Sequence, residues 1–242
     1  MSSFFYDIHI HSILSPCADV LMTPNNILNM AMLKELDFIS ITDHNSTKQL
    51  KVFEELLESY DLVLLPGVEV TVLENFDVLC YFESIKLANQ FNTILEKHLL
   101  NDWGNYSKND QIITDIYDQE ISTYDLPLTK TNLPYKELVK VVRNLDGVIV
   151  LAHVNRKNSS ALNSYNLSDI DFDAIELQKY GSEEFLSENE YLLKYKILYN
   201  SDSHTLMSIS EKEYSVELET KTIKSFLNHL RGKLWTNYHY IF

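Results

Sequence analysis

Tyr6-Asp7-Ile8-His9-Ile10-His11 is an apolar, β-branched run that ends in two histidines one residue apart. Side chains alternate faces along a strand, so His9 and His11 are expected to point the same way, close enough to share one cation. Ile8 and Ile10 are then expected to face the opposite layer. A His-x-His pair alone establishes only two imidazoles on one face, and its meaning depends on what ends the other strands.

Several later runs repeat the pattern. Asp37 to Thr42 is a short β-rich run that leads into Asp43-His44. Leu62-Val63-Leu64-Leu65-Pro66-Gly67-Val68-Glu69 predicts a buried strand ending in a carboxylate. Gly147 to His153 predicts one ending in a histidine, and Tyr195 to His204 predicts one ending in Asp202-Ser203-His204. Ala174-Ile175-Glu176-Leu177 is a further short strand. Helical patterns lie between them. Thr23-Pro24 reads as an N-cap and first-turn proline, with Ile27, Met30, Ala31 and Leu33 on the apolar face that follows. Ser46 and Thr47 read as the cap of a helix through Leu57, with Leu50, Phe53, Glu54 and Leu57 on one side. Thr222 to Arg231 predicts a helix with Ile223, Phe226, Leu227 and Leu230 on one face, stopped by Gly232.

Continuous apolar runs alternating with helical periods are what parallel strands buried on both faces look like. The expected class is α/β, an α/β barrel whose active site collects at the C-terminal ends of the strands. Five of the eight histidines, His9, His11, His44, His153 and His204, sit at predicted strand ends. His98, His229 and His239 lie in helix or tail context and read as ordinary histidines.

Between Glu83 and Thr131 the rhythm breaks. Ile85 to Leu100 predicts an amphipathic helix, and Gln111 to Ser122 predicts a hairpin turning at Tyr117-Asp118-Gln119. An insertion at about 84–131 is therefore expected. It either caps the pocket or lies passively on the surface. At 242 residues and 45% hydrophobic, the chain is expected to form one domain over 1–242 that carries this insertion.

Acidic residues number 35 against 20 Lys and Arg, a net charge of −15. That balance argues against a long nucleic-acid partner and favours a small anionic substrate, because bound cations can reverse the local field. The N-terminus has neither the basic region nor the apolar run of a signal peptide, and no run is long enough to span a bilayer. A soluble cytoplasmic protein with no membrane partner is expected. Cys17 and Cys80 lie far apart and suggest neither a disulfide framework nor a zinc knuckle.

Neutral imidazoles and carboxylates converging on one barrel mouth make a multinuclear metal site with open positions, suited to activating water and clamping phosphate oxygens. Arg156, just past His153, is the candidate for gripping a phosphate, since guanidinium binds such oxygens in a bidentate way. Asp43 is the candidate for orienting a neighbouring histidine without binding metal itself.

His9-x-His11, Thr42-Asp43-His44, Gly67-Val68-Glu69, Ala152-His153 and Asp202-Ser203-His204, in this order, resemble the motifs of the PHP (polymerase and histidinol phosphatase) family over essentially the whole chain. The segment from Phe91 to Leu145 also looks like the insertion of stand-alone bacterial PHP phosphoesterases. The resemblance implies a distorted (βα)7 TIM-like barrel with two or three divalent ions (Mn, Fe or Zn). It implies hydrolysis of a phosphate ester of a small molecule or nucleotide by metal-activated water. His9, His11, Glu69 and Asp202 would then hold a first ion, Glu69 would bridge to a second that His153 also holds, and His44 and His204 would hold a third.

Two positions depart from the family pattern. Relatives place a histidine just before the strand after Gly-x-Glu, where this chain has Asp77, a carboxylate that can ligate with an altered metal preference. In the loop after His11, relatives place an Asp or a His for the third ion. Asp19 matches the Asp by its spacing to Pro24 and is preferred; Cys17 matches the His by its spacing to His11, and its thiolate would favour zinc. Two other readings fit parts of the pattern: an amidohydrolase, which also opens with His-x-His, and a metal-binding regulatory domain without catalysis, for which Asp77 is the hint.

Overall fold

The structure, a computed structural model, describes residues 1–232 and Leu234. His239 lies outside the described residues. The first half of the chain alternates β1 (Ser2–Ile10), α1 (Pro24–Leu33), β2 (Phe38–Ile41), α2 (Leu50–Leu56) and β3 (Val63–Leu64), then runs through β4 (Gly67–Thr71), β5 (Asp77–Tyr81) and α3 (Ile85–Leu95). A small hairpin, β6 (Ile112–Thr114) and β7 (Glu120–Thr123), precedes α4 (Tyr135–Asn144). The rest comprises β8 (Val148–Leu151), β9 (Ala174–Leu177), α5 (Ser182–Glu188), β10 (Ile197–Tyr199), β11 (Ser215–Leu218) and α6 (Ile223–Leu230).

Apart from the β6–β7 hairpin, the strands form two mixed sheets, in the orders β11-β1-β2-β3 and β10-β9-β8-β5-β4. The expected parallel pairing holds for β1, β2 and β3 and again for β8, β9 and β10. β5 runs antiparallel to both β4 and β8, so its first residue, Asp77, lies beside the end of β4. Among the described residues, the ladders do not form one continuous ring. The sheets meet at isolated bridges, Ile10 with Ser203 and His44 with Glu69, where the C-terminal ends of the strands gather.

The predicted strand from Leu62 to Glu69 splits at Pro66, which has no N–H to give a ladder. Leu64 stays beside β2, and Glu69 passes into the other sheet. Gly67 permits that crossing: a Cβ there would stand 2.4 Å from Ser40 Oγ and 2.9 Å from Thr42 Cγ2.

β1 also departs from simple alternation. Its register against β2 shifts between Asp7 and Ile10, and such a bulge changes which face successive side chains take. Ile8 packs with Tyr6, Phe38, Leu79, Tyr81 and Val150 in a cluster that draws on both sheets and on α6. Ile10 instead packs with Ile27, Ile39 and Ile41 under the helices. The two isoleucines therefore occupy different layers, contrary to plain alternation, while His9 and His11 still converge.

The helices follow their sequence signals with local exceptions. α1 starts at Pro24 but buries Ile27, Leu28 and Ala31, leaving Leu33 exposed. α2 starts at Leu50, because the N–H and hydroxyl of Thr47 are committed elsewhere and only its carbonyl meets the helix start. Its N–H goes to Asn92 Oδ1 at 2.8 Å and its hydroxyl to Asn89 Oδ1 at 2.8 Å, both on α3. Thr222 caps α6, which buries Phe226, Leu227 and Leu230.

Within 84–131, the predicted helix and hairpin both form. Asp118 in the hairpin turn accepts the Thr23 hydroxyl at 2.8 Å and the Asn25 side-chain amide at 2.9 Å, at the start of α1. Buried Gln49 and Thr114 exchange bonds in both directions, at 2.8 and 3.2 Å. Such satisfied buried polar pairs hold the segment in one place. Among the described residues, no helix is long and apolar enough to cross a membrane.

Candidate metal centre

Where the sheets meet, the backbone takes conformations that side chains normally avoid. His153 has φ 29°, Asp202 φ 52° and Asn45, next to His44, φ 53°. Left-handed geometry at such residues costs about 1–3 kcal/mol and persists only where the surroundings impose it. Here it turns side chains toward a common point, in three overlapping groups: His9, His11, Glu69 and Asp202; Glu69, Asp77 and His153; and His11, His44 and His204.

The first group is the tightest. His9 Nε2 lies 3.2 Å from His11 Nε2, 3.3 Å from Glu69 Oε1 and 3.2 Å from Asp202 Oδ1. His11 Nε2 lies 3.2 Å from both Glu69 Oε2 and Asp202 Oδ1. Two bonds of about 2.1 Å from one ion, at angles between square and tetrahedral, place ligand atoms about 3.0–3.4 Å apart. The tautomers agree with that use. His9 Nδ1–H is taken by Glu176, at 3.0 and 3.1 Å to its two oxygens. Ser15 donates its one hydroxyl proton to Asp43 at 2.7 Å, so its oxygen accepts from His11 Nδ1–H at 2.9 Å. Both Nε2 lone pairs then face each other, which requires a positive charge between them.

The electrostatics say the same. Burial disfavours a charged imidazole, but the acids around His9 and His11 outweigh it, pushing His11 up to about 9 and His9 well above the ordinary histidine value. Burial works against the charge on Glu69 and Asp202 too, yet the neighbouring histidines hold both carboxyls below the usual carboxylate range. Glu69 Oε2 and His153 Nδ1 are buried without a hydrogen bond. Orphaned buried polar atoms are rare and expensive; a cation among these donors satisfies Glu69 Oε2, while His153 offers its other nitrogen, Nε2, to the second group.

In the second group, His153 Nε2 stands 3.1 Å from Glu69 Oε1 and 3.7 Å from Asp77 Oδ2. Asp77, held by the Thr71 hydroxyl at 2.6 Å, is pushed up to about 6 by burial and by the charge of Glu69. In the third, burial lowers His44 to about 3 and His204 to about 4, so both present neutral imidazoles at neutral pH. His204 gives Nδ1–H to the Asp202 carbonyl at 2.9 Å, leaving Nε2 bare.

Asp19 is not brought into any of these groups. It is exposed, its carboxylate accepts the Leu21 N–H at 2.8 Å, and its own N–H is fixed to the His204 carbonyl at 2.9 Å, which turns the side chain outward. Cys17 does line the cavity, but burial and the charge of Glu69 push its thiol up to about 12, so it stays protonated. Asp43 acts one step further out than expected. It accepts from Ser12 N–H at 2.7 Å, from the Ser12 hydroxyl at 2.6 Å and from Ser15, and reaches His11 only through Ser15. Arg156 pairs with Asp202 at the mouth. The cavity there, about 330 Å³, is lined by His44, Asp77, Arg156 and His204, and from the stretch 84–131 by Tyr106, Leu128 and Thr129. Glu176 was not among the expected site residues. Its sequence signal is an acid at the end of an apolar strand, the mark that singles out Glu69.

No family model matches the chain, and no curated protein matches it in sequence. Solved structures do. Endonuclease Q from Pyrococcus furiosus, a lesion-specific enzyme, is similar with a TM-score of 0.69 at 18% identity, over 95% of this chain and 56% of its own. A two-domain protein from Bacteroides vulgatus containing a predicted PHP-like metal-dependent phosphoesterase matches with a TM-score of 0.55 at 15% identity, over 95% of this chain and 62% of that one. The chain has the PHP fold. It shares its architecture with an amidohydrolase from Chromobacterium violaceum as well, with a TM-score of 0.56 at 17% identity over 94% and 97% of the two chains. The chain spans little more than half the length of endonuclease Q.

Endonuclease Q is also known in complex with a 27-mer duplex that carries an abasic lesion at the active site, with a TM-score of 0.66 at 18% identity over 95% of this chain and 56% of that one. The expectation that the net charge argues against a long nucleic-acid partner is thereby corrected. A protein of the PHP fold holds such a duplex, and net charge sums the whole surface whereas binding responds to the potential at the mouth.

Proposed function

We propose that the chain is a metal-dependent phosphoesterase with divalent ions held at the gathered strand ends. The observation that carries this reading is the first donor group, with four side chains offering bare donor atoms at 3.2 to 3.3 Å spacing. His9, His11, Glu69 and Asp202 would hold one ion, Glu69, Asp77 and His153 a second, and His44 and His204 would hold a third. Mixed imidazole and carboxylate donors suit manganese, iron or zinc. Such ions supply Lewis-acid polarisation of phosphate oxygens and lower the pKa of a bound water.

The chain's own residues do the rest. Arg156 offers a guanidinium at the mouth for the non-bridging oxygens of a phosphate ester. Glu176 and Ser15 keep the His9 and His11 protons on Nδ1, away from the donors. Tyr106, Leu128 and Thr129 form a wall for the organic part of the substrate. The duplex bound by endonuclease Q makes nucleic-acid phosphodiesters a class to test beside mononucleotides and small phosphomonoesters.

A second reading, amidohydrolase chemistry on C–N or C–O bonds, is favoured by the similarity to the Chromobacterium violaceum protein. The guanidinium at the mouth suits phosphate better than a neutral amide. The test is metal analysis of the purified protein together with a panel of phosphomonoesters, single-stranded and abasic duplex DNA, amides and lactones, with and without chelator. Chelator-sensitive turnover confined to phosphate esters supports the proposal, and turnover confined to amides or lactones overturns it.

A further inference from the structure

Glu176, at the end of β9, is 1% exposed and belongs to none of the three donor groups. Its carboxylate is nevertheless fully used. Both oxygens take His9 Nδ1–H, Oε1 also accepts from Asn200 Nδ2 at 2.7 Å, and Oε2 accepts the backbone N–H of His153 at 3.0 Å. Asn200 has no freedom to turn its amide around, since its Oδ1 already accepts the Ile8 N–H at 3.0 Å. One carboxylate thus grips a side chain of the first group and the backbone of the residue that carries the second, at the position where that backbone has φ 29°.

We propose that Glu176 is a positioning residue that couples the two groups. It holds the His9 proton on Nδ1, leaving Nε2 for a cation, and it ties down the left-handed turn that aims His153 at Glu69. The inference rests on the metal-centre reading above and adds to it a residue that touches no ion. A carboxylate is required because every direction around it faces a donor. In a glutamine of the same shape, the NH2 would face the His153 N–H in one orientation and the Asn200 NH2 in the other. His9 could answer only by moving its proton to Nε2, into the donor group.

The test uses the full chain and zinc as the probe. Zinc affinity by equilibrium dialysis is compared for wild type, Glu176→Gln and Glu176→Asp, and ¹⁵N NMR of histidine-labelled, zinc-loaded wild type locates the His9 ring proton. The expected result is an Nδ1 proton on His9 and about a 10- to 100-fold loss of zinc affinity in Glu176→Gln, the range seen when such supporting partners are removed. Glu176→Asp keeps the charge and should fall between. A purely structural role would lower the melting temperature of Glu176→Gln and leave zinc affinity unmoved, which overturns the proposal, as does a His9 proton on Nε2. Should Glu176→Gln not fold, the wild-type spectrum and Glu176→Asp decide. Wild type that binds no zinc overturns the metal centre and this inference together, whereas wild-type binding that Glu176→Gln fully retains overturns the inference alone.

Discussion

Arg156 lays its guanidinium on Oδ2 of Asp202, the carboxylate whose other oxygen stands 3.2 Å from the Nε2 atoms of both His9 and His11. Among the described residues, the one arginine lining the cavity is thus anchored to the donor group and aimed across its mouth. On the phosphoesterase reading proposed above, removing it takes away a charged hydrogen-bonding partner for phosphate, an interaction of about 1.5–3 kcal/mol. Arg156→Ala should therefore lower kcat/KM for a phosphate ester by about 10- to 100-fold. Arg156→Lys should recover only part of this, because an ammonium cannot bind two oxygens in a plane. Steady-state kinetics with metal content measured on the same samples checks it; lost metal in Arg156→Ala would mean that the arginine serves the site and not the substrate.

Asp202 and His9 should behave differently from Arg156. Each supplies a donor atom to the tightest group, so Asp202→Ala or His9→Ala should lose about one ion per chain and all chelator-sensitive hydrolysis. The fold should survive, since both lie at strand ends outside the apolar clusters. Elemental analysis, circular dichroism and the substrate panel test this together. Full activity at unchanged metal content in either variant would sink the assignment.

Asp77 is the position where this chain departs from the family it resembles, and its placement bears on how many ions bind. Because β5 runs antiparallel to β4 and β8, its first residue reaches the same end that parallel strands reach with their last. The carboxylate takes its place beside Glu69 and His153. Asp77→Asn should remove the second ion and keep the first, and Asp77→His should restore two ions with a preference shifted toward zinc. Titration of apoprotein with manganese and zinc gives the stoichiometries, and equal stoichiometry in wild type and Asp77→Asn counts against a second site.

Much of this site was legible because a histidine or carboxylate that ends an apolar run is unusual, and His9, His11, His44, Glu69, His153, Asp202 and His204 all do so. What was not legible depends on partners that lie far off in sequence. The bulge in β1 that separates Ile8 from Ile10 is set by the register against β2, and the break at Pro66 matters only because β3 and β4 join different sheets. Asp19 has a suitable spacing, but one hydrogen bond from its backbone to the His204 carbonyl turns it to solvent. Glu176 sits in Ala-Ile-Glu-Leu, whose residue types announce a strand and not a hydrogen-bond acceptor for His9.

Proton linkage gives a test that needs no substrate. His9 and His11 have folded values raised above the ordinary 6.5, to about 9 for His11. The folded chain therefore holds protons that the unfolded chain has released, and stability present below pH 6.5 is lost as pH rises toward about 9. His44 and His204 are lowered, to about 3 and about 4, so below pH 6.5 the unfolded chain binds more protons and stability falls on the acid side. Chelator-treated protein should thus be most stable near pH 6.5 and melt progressively earlier toward pH 9. Divalent ions displace those protons, so the rise in Tm on adding metal should grow over the same interval. Scanning calorimetry with chelator and with saturating manganese measures both trends. A flat pH profile in the chelated protein would contradict the protonation of His9 and His11.

Gly67 tests the route by which Glu69 reaches the centre. The chain crosses from one sheet to the other there, packed so closely on β2 that a Cβ would stand 2.4 Å from Ser40 Oγ. Ser40 cannot simply swing away, because its hydroxyl is buried and donates to the Leu65 carbonyl at 2.7 Å. Gly67→Ala must displace Ser40, break that bond or push β4 from β2, at a cost of about 1–3 kcal/mol for overpacking. Movement of β4 would also strain the bridge between His44 and Glu69 and so weaken metal binding. Ser40→Ala removes the clashing oxygen and should make Gly67→Ala milder in the double variant than the two single effects predict, since residues in contact do not add independently. Urea melts of the four proteins measure the coupling. Strict additivity would mean that Gly67 is not what lets the chain pass beneath Ser40.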